Sequence, residues 1–276
     1  MKDVNSYGWK AVIGSSVGYA MDGFDLLILG FMLTLISGDL GLSTGQAGSL
    51  VTWTLIGAVL GGFIFGTLSD KYGRVRVLTW TIVLFAVFTG LCAFAQGYWD
   101  LLIYRTIAGI GLGGEFGIGM ALAAEAWPAK HRAKATSYVA LGWQLGVLAA
   151  ALLTPLLIPH IGWRGMFMVG IIPAFVAWFF SAKLHEPEIF VQSKEVNEHS
   201  HSESFKLLVK DATTTKTSIG VAILTSVQNF GYYGIMIWLP NFLSKQLGFS
   251  LTKSGLWTAV TVCGMMVGIL LFGRLA

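Results

Sequence analysis

Asp22-Gly23-Phe24-Asp25 places two carboxylates three residues apart within an apolar stretch that runs from Trp9 to about Ser37. Helical spacing sets both on one face, roughly midway along that stretch. An ionised acid at mid-depth in a bilayer costs about 3 kcal/mol on insertion scales. Burial therefore favours the neutral acid, and a carboxyl held there can load and release a proton near neutrality. The alternative is a pair of acids that only hydrogen-bond to a neighbouring helix. One base lies inside a later apolar stretch, Arg105, and it is followed by Gly109, Gly111, Gly113, Gly114 and Glu115. Arg105 and Asp25 fall at compatible depths, and an intramembrane guanidinium needs a partner. Asp25, Asp22 and Arg105 are thus read as a proton-coupling group. Glu115, about 15 Å beyond Arg105 along the same helix, is read as a substrate-site residue or a structural hydrogen-bonding group. The glycine run does not make a nucleotide loop, which needs a preceding strand and an acid about twenty residues on. Close packing of helices explains it better.

The elements that would hold these residues are membrane spans. Of 276 residues, 55% are hydrophobic and 12% charged, with a mean hydropathy of +0.70; a soluble chain carries about 25% charged residues. Eight spans are predicted, at 9–37, 46–69, 75–96, 98–127, 135–159, 163–183, 217–243 and 254–276. Each is long enough to cross about 30 Å of hydrocarbon. A soluble enzyme is excluded. The first stretch is too long for a signal-peptide core and is read as a retained helix. Cys92 and Cys263 both fall within spans, which leaves neither a disulfide framework nor a metal-ligand spacing.

The net charge of +4 is distributed unevenly. Lys2, Lys10, Lys71, Arg74, Arg76, Lys130, Arg132, Lys134, Lys183, Lys194, Lys206, Lys210, Lys216 and Arg274 share one side, against Arg164, Lys245 and Lys253 on the other. The positive-inside rule then makes the N-terminus cytoplasmic in a multi-pass inner-membrane protein. No nucleic-acid partner is expected.

The sequence repeats itself at an offset of 207, as 273 − 66 for Gly273 and Gly66. The same shift superimposes Ser37 on Ser244, Leu40-Gly41 on Leu247-Gly248, Gly57 on Gly264 and Gly61 on Gly268. Span 7 repeats span 1 and span 8 repeats span 2. Residues 1–183 read as a six-helix bundle, 184–216 as a cytoplasmic linker and 217–276 as the first two helices of a second bundle. His199 and His201 belong to the linker and are read as solvated rather than metal-binding. The second copy breaks off just before the counterpart of Asp70, so about four further spans are expected, beginning with an acid at 277.

Between spans 2 and 3 runs Gly66-Thr67-Leu68-Ser69-Asp70-Lys71-Tyr72-Gly73-Arg74-Val75-Arg76, a G-x-x-x-D-x-x-G-R-x-R loop. Gly66 would permit close helix approach and Gly73 a tight turn, while Asp70 and Arg74 pair with each other or with helix ends. Span 4 ends in Glu125-x-Trp127-Pro128-x-x-x-Arg132, and Glu125 is expected to pair with the basic loops. Together with the DGFD of span 1 and the Gly-Gly-Glu of span 4, these elements resemble the metabolite:proton symporters of the major facilitator superfamily, especially sialic acid and aromatic acid symporters.

That resemblance implies an all-α membrane protein of the major facilitator fold with about eight of twelve transmembrane helices present. It implies proton-coupled uptake of a small organic anion, such as an aromatic, sialic or other carboxylic acid, by a monomer in the lipid bilayer. The proton gradient would supply the energy, with no cofactor, no metal and no catalytic residue. In related porters a span 1 carboxylate in a G-aromatic-D setting is the proton site and lies near a span 4 arginine; by resemblance these are Asp25 and Arg105. Gln144, Gln228, Asn229, Tyr232 and Tyr233 are candidates for contact with a polar substrate, although the tyrosines also suit an aromatic girdle or helix packing. Span 5 keeps Gly142 and Gly146 but lacks the Pro and glycine pair that drug:proton antiporters carry there. A sugar porter, a proton-independent facilitator and a non-transporting solute sensor remain open.

Overall fold

The computed structural model describes residues 6–181, Glu186 and 209–275. Helix α1 covers Ser6–Leu40, α2 Thr44–Tyr72, α3 Arg74–Cys92 and α4 Tyr98–Glu125. A 3-10 turn at Ala129–His131 leads into α5, Arg132–Ser181. Two more helices follow, α6 at Ala212–Leu247 and α7 at Leu251–Leu275.

Local chemistry sets the boundaries. Gly41, at φ 63°, ends α1, and Leu42 donates its N–H to the Ser37 carbonyl at 2.9 Å. Ser43 then opens α2 with a capping box: Gln46 N–H donates to Ser43 Oγ at 3.2 Å, and Ser43 N–H to Gln46 Oε1 at 2.9 Å. Gly73, at φ 114°, makes the turn between α2 and α3 in a conformation that side-chain-bearing residues rarely adopt. Asp211 caps α6 by accepting from Thr214 N–H at 2.8 Å, which holds its carboxyl below the usual carboxylate range.

At 50 residues, α5 would run about 75 Å, over twice the hydrocarbon thickness. It breaks at Gly162 (φ 65°, ψ −176°). Before the break Gly142 and Gly146 follow Ser16 and Ala20 along α1; after it Trp163 meets Asp39 and Gly170 faces Ile28, so the chain runs back. The two halves are the expected fifth and sixth spans.

Backbones touch where glycine removes the Cβ. In α2 and α4, Gly57, Gly61, Gly109 and Gly113 each lie against a carbonyl of the other helix, that of Thr106, Ile110, Thr54 and Ala58 respectively. In this way α4 is drawn against α2, and its Gly111 against α3. At the end of the bundle where α1 begins, Trp127 is buried and donates Nε1–H to the Gly8 carbonyl at 3.0 Å, fixing the start of α1. At the opposite end Asp39 accepts from Trp163 Nε1 at 3.1 Å and pairs with Arg164. The flanks carry exposed Val59, Phe63, Phe94, Trp99 and Phe175, as lipid contact requires.

Two expectations change in detail. Among the described residues, six helical segments are long and apolar enough to cross a membrane: α1 to α4, Ala129–Ile172, which holds the predicted span 135–159 and the first part of 163–183, and Leu251–Gly273 of α7. The span predicted at 217–243 is helical within α6, but α6 is not among those six; Gln228 and Asn229 lower the apolarity of its middle. Gly66 is not at a close helix contact, because a Cβ there would meet nothing within 4 Å. Apart from Glu186 and residues 209–216, the predicted linker lies outside the described residues, as do His199 and His201.

Candidate functional site

Helices α1 and α4 bring Asp25 and Arg105 together. Both side chains are buried to 1% exposure or less, and Arg105 Nη1 stands 2.7 Å from Asp25 Oδ2. Thr89 of α3 donates to Asp25 Oδ1 at 3.5 Å, and Arg105 Nε to Thr54 Oγ1 of α2 at 3.4 Å. The Phe167 ring lies 5.8 Å from the guanidinium carbon. Both hydrogen bonds are long, and Arg105 Nη2 has no acceptor among the described residues. Five helices thus enclose one ion pair whose hydrogen-bonding capacity is only partly used, an arrangement that can be broken and remade.

Asp22 lies one turn nearer the start of α1. It faces Glu115 of α4, which itself is packed against Gly18 of α1. Asp22 is fully buried and Glu115 2% exposed, and none of their four carboxyl oxygens has a hydrogen-bond donor among the described residues. The DGFD face is therefore divided along α4, with Asp25 taking the base and Asp22 another acid.

Beside these carboxyls an aromatic cluster bridges α1, α4, α5 and α6. The Tyr19 ring is 5.0 Å from both Trp143 and Phe116, and Trp143 is 6.1 Å from Tyr233. Trp143 donates Nε1–H to Tyr232 Oη at 2.6 Å. A small cleft is lined by Gly23, Leu26, Trp143, Tyr232, Tyr233 and Met236. Gln144 is buried beside the cluster with its Oε1 unpartnered among the described residues. Gln228 and Asn229 do not join it: both lie on an exposed length of α6, where Asn229 donates to the Thr225 carbonyl at 3.0 Å.

The loop between α2 and α3 holds its own network. Arg74 pairs with Asp70, and reaches Glu125 of α4 at 3.1 Å and Ser69 Oγ at 2.8 Å. The Glu186 carboxylate accepts from Val75 N–H at 3.1 Å and Arg76 N–H at 3.1 Å, occupying the start of α3, where the helix dipole favours an anion. The side chains of Arg76 and Arg132 are exposed.

Sequence reasoning had not singled out Glu186, Thr54, Thr89, Tyr19 or Phe116. An acid just past the sixth span and a second aromatic three residues before Asp22 were the available signals. Among the described residues, no group of three or more His, Cys, Asp or Glu is placed to hold a metal.

A family model described as Major Facilitator Superfamily matches residues 15–276. A Haemophilus influenzae protein named for metabolite transport is 79% identical over 99% of this chain and 68% of its own length. The cis,cis-muconate transport protein of Acinetobacter baylyi is 32% identical over 99% of this chain and 67% of its own. A solved D-xylose–proton symporter superposes with a TM-score of 0.75 at 23% identity, covering 95% of this chain and 67% of that one. The chain thus spans about two thirds of the length of these proteins.

Proposed function

The chain belongs to the Major Facilitator Superfamily, and from that premise we propose that the intact carrier imports a small unsaturated or aromatic organic acid together with protons. It is a multi-pass membrane transporter and not an enzyme. The observation that carries the proton-coupled reading is the buried Asp25–Arg105 pair, held at 2.7 Å where five helices meet. An ion pair in hydrocarbon survives only while its partners touch. Protonating Asp25 would release Arg105, and a change in how α1 and α4 pack would alter the affinity for the proton. Protonation and conformation are then linked in both directions, as alternating access between two states requires.

The substrate class is supported by the aromatic residues Trp143, Tyr232 and Tyr233 lining the cleft, by the buried amide of Gln144 and by the muconate-transporting relative. Flat conjugated acids stack on Trp143 and Tyr233 and leave their carboxylate for a polar contact. The test is uptake of labelled cis,cis-muconate and benzoate into vesicles carrying the intact transporter. Accumulation should rise with an inward proton gradient and collapse to the equilibrium level when a protonophore is added. Uptake indifferent to the gradient would identify a facilitator, and no uptake with retained binding would identify a sensor.

We place the N-terminus and the 184–216 segment on the cytoplasmic side of the inner membrane, on the strength of the lysine and arginine asymmetry. A cysteine substituted for Glu198 should react with an impermeant maleimide only after cells are permeabilised. Labelling of intact cells would reverse the orientation.

A further inference from the structure

We propose that Asp22 and Glu115 form a second proton site, a carboxyl pair that shares one proton, separate from the Asp25–Arg105 pair. The two side chains come from different helices, are 0% and 2% exposed, face each other, and have no hydrogen-bond donor among the described residues. Two carboxylates in contact without a cation repel one another and lose hydration that nothing replaces. One proton between them turns the repulsion into an O–H···O hydrogen bond and satisfies an oxygen on each side.

The surrounding groups do not supply an alternative. On α1 the pair is approached by Tyr19 and, one turn outward, by Asp25; on α4 the only base is Arg105, already engaged with Asp25 at 2.7 Å. From α6, Tyr233 and Tyr232 approach, and from α5, the uncharged Trp143 and Gln144. Tyr19, Tyr232 and Tyr233 bring hydroxyls but no positive charge. Tyr233 also lines the cleft, as does Gly23, the neighbour of Asp22. The shared proton therefore lies at the edge of the region proposed for substrate. There it can pass to the cleft, or donate to an arriving carboxylate in place of the arginine that Asp25 occupies.

The role of this pair in transport rests on the proton-coupled reading above, but its existence is tested without transport. Infrared spectra of the intact transporter in lipid at neutral pH should contain a protonated-carboxyl absorption that the double variant Asp22→Asn/Glu115→Gln lacks and Asp25→Asn keeps. In each single variant, Asp22→Asn or Glu115→Gln, the partner of the remaining acid becomes an amide. Sharing then predicts that its absorption shifts and that titration follows one step where the parent shows two. Identical neutral-pH spectra for parent and double variant would show that no proton is held there. Single variants whose remaining acid titrates as in the parent would show two independent acids, and also overturn the proposal. Should the double variant fail to fold, the single variants decide. A transporter indifferent to the proton gradient would remove the coupled reading while leaving these spectra intact.

Discussion

In the intact transporter, Asp25→Asn should reduce pH-driven accumulation to the equilibrium level and also lower the melting temperature, whereas Arg105→Gln should abolish accumulation with a smaller loss of stability. The asymmetry comes from what each partner can do when left alone. A guanidinium keeps its charge at all accessible pH, so without Asp25 the fully buried Arg105 is an uncompensated cation. Removing one partner of a buried pair costs about 3–5 kcal/mol on this account. An orphaned Asp25 can instead take up a proton and become neutral, with Thr89 still beside it at 3.5 Å. The charge-balanced double variant Asp25→Asn/Arg105→Gln should therefore recover most of the stability lost by Asp25→Asn without recovering accumulation. Exchange of labelled for unlabelled substrate, which needs no net proton movement, should persist in it. Thermal denaturation of purified variants and vesicle uptake together make the check. An Asp25→Asn variant that still concentrates substrate in response to external pH would remove Asp25 from the coupling step.

The second large effect concerns packing. Gly146→Val should abolish recovery of folded protein, because a Cβ at this position collides with the backbone carbonyl of Ala20. A backbone atom in mid-helix cannot rotate aside as a side chain does, so α5 would have to move away from α1. Overpacking of this kind costs about 1–3 kcal/mol where the surroundings can adjust, and more where they cannot. The damage would reach the candidate site directly, since Trp143 and Gln144 lie on the preceding turn of α5. Gly117→Ala is the matched control: it lies within α4, and a Cβ there meets nothing within 4 Å. Replacing a mid-helix glycine by alanine at an open position should leave stability unchanged or raise it by about 0.5–1 kcal/mol. Fluorescence-detected size-exclusion chromatography of both variants gives the answer. Equal monodisperse peaks for Gly146→Val and the parent would show that α1 and α5 separate without penalty.

Composition and spacing alone determined that the chain crosses a membrane repeatedly and where nearly every helix begins. Span length follows from hydrocarbon thickness, and the turn at Gly73 was legible between two spans; that Gly41 and Gly162 also end helical segments, at positive φ, was shown by the structure. The depth of Asp25 and Arg105 was likewise legible, because rise per residue converts position into height, and a buried base requires an acid at the same height. Height does not give direction around the helix axis, and that is what the tertiary structure decided. It turned Asp25 toward Arg105 and Asp22 toward Glu115, although the two acids share a face and each could have been assigned to either partner. It assembled Tyr19, Phe116, Trp143, Tyr232 and Tyr233 from four helices, while leaving Gln228 and Asn229 outside, a distinction that depends on which side of α6 meets α1. It also showed Gly66 to be open and Glu186 to cap α3. Period and hydropathy describe each helix against an average environment; which side chains touch depends on how glycine contacts such as Gly146 against Ala20 and Gly113 against Ala58 fix the rotation and separation of neighbouring helices.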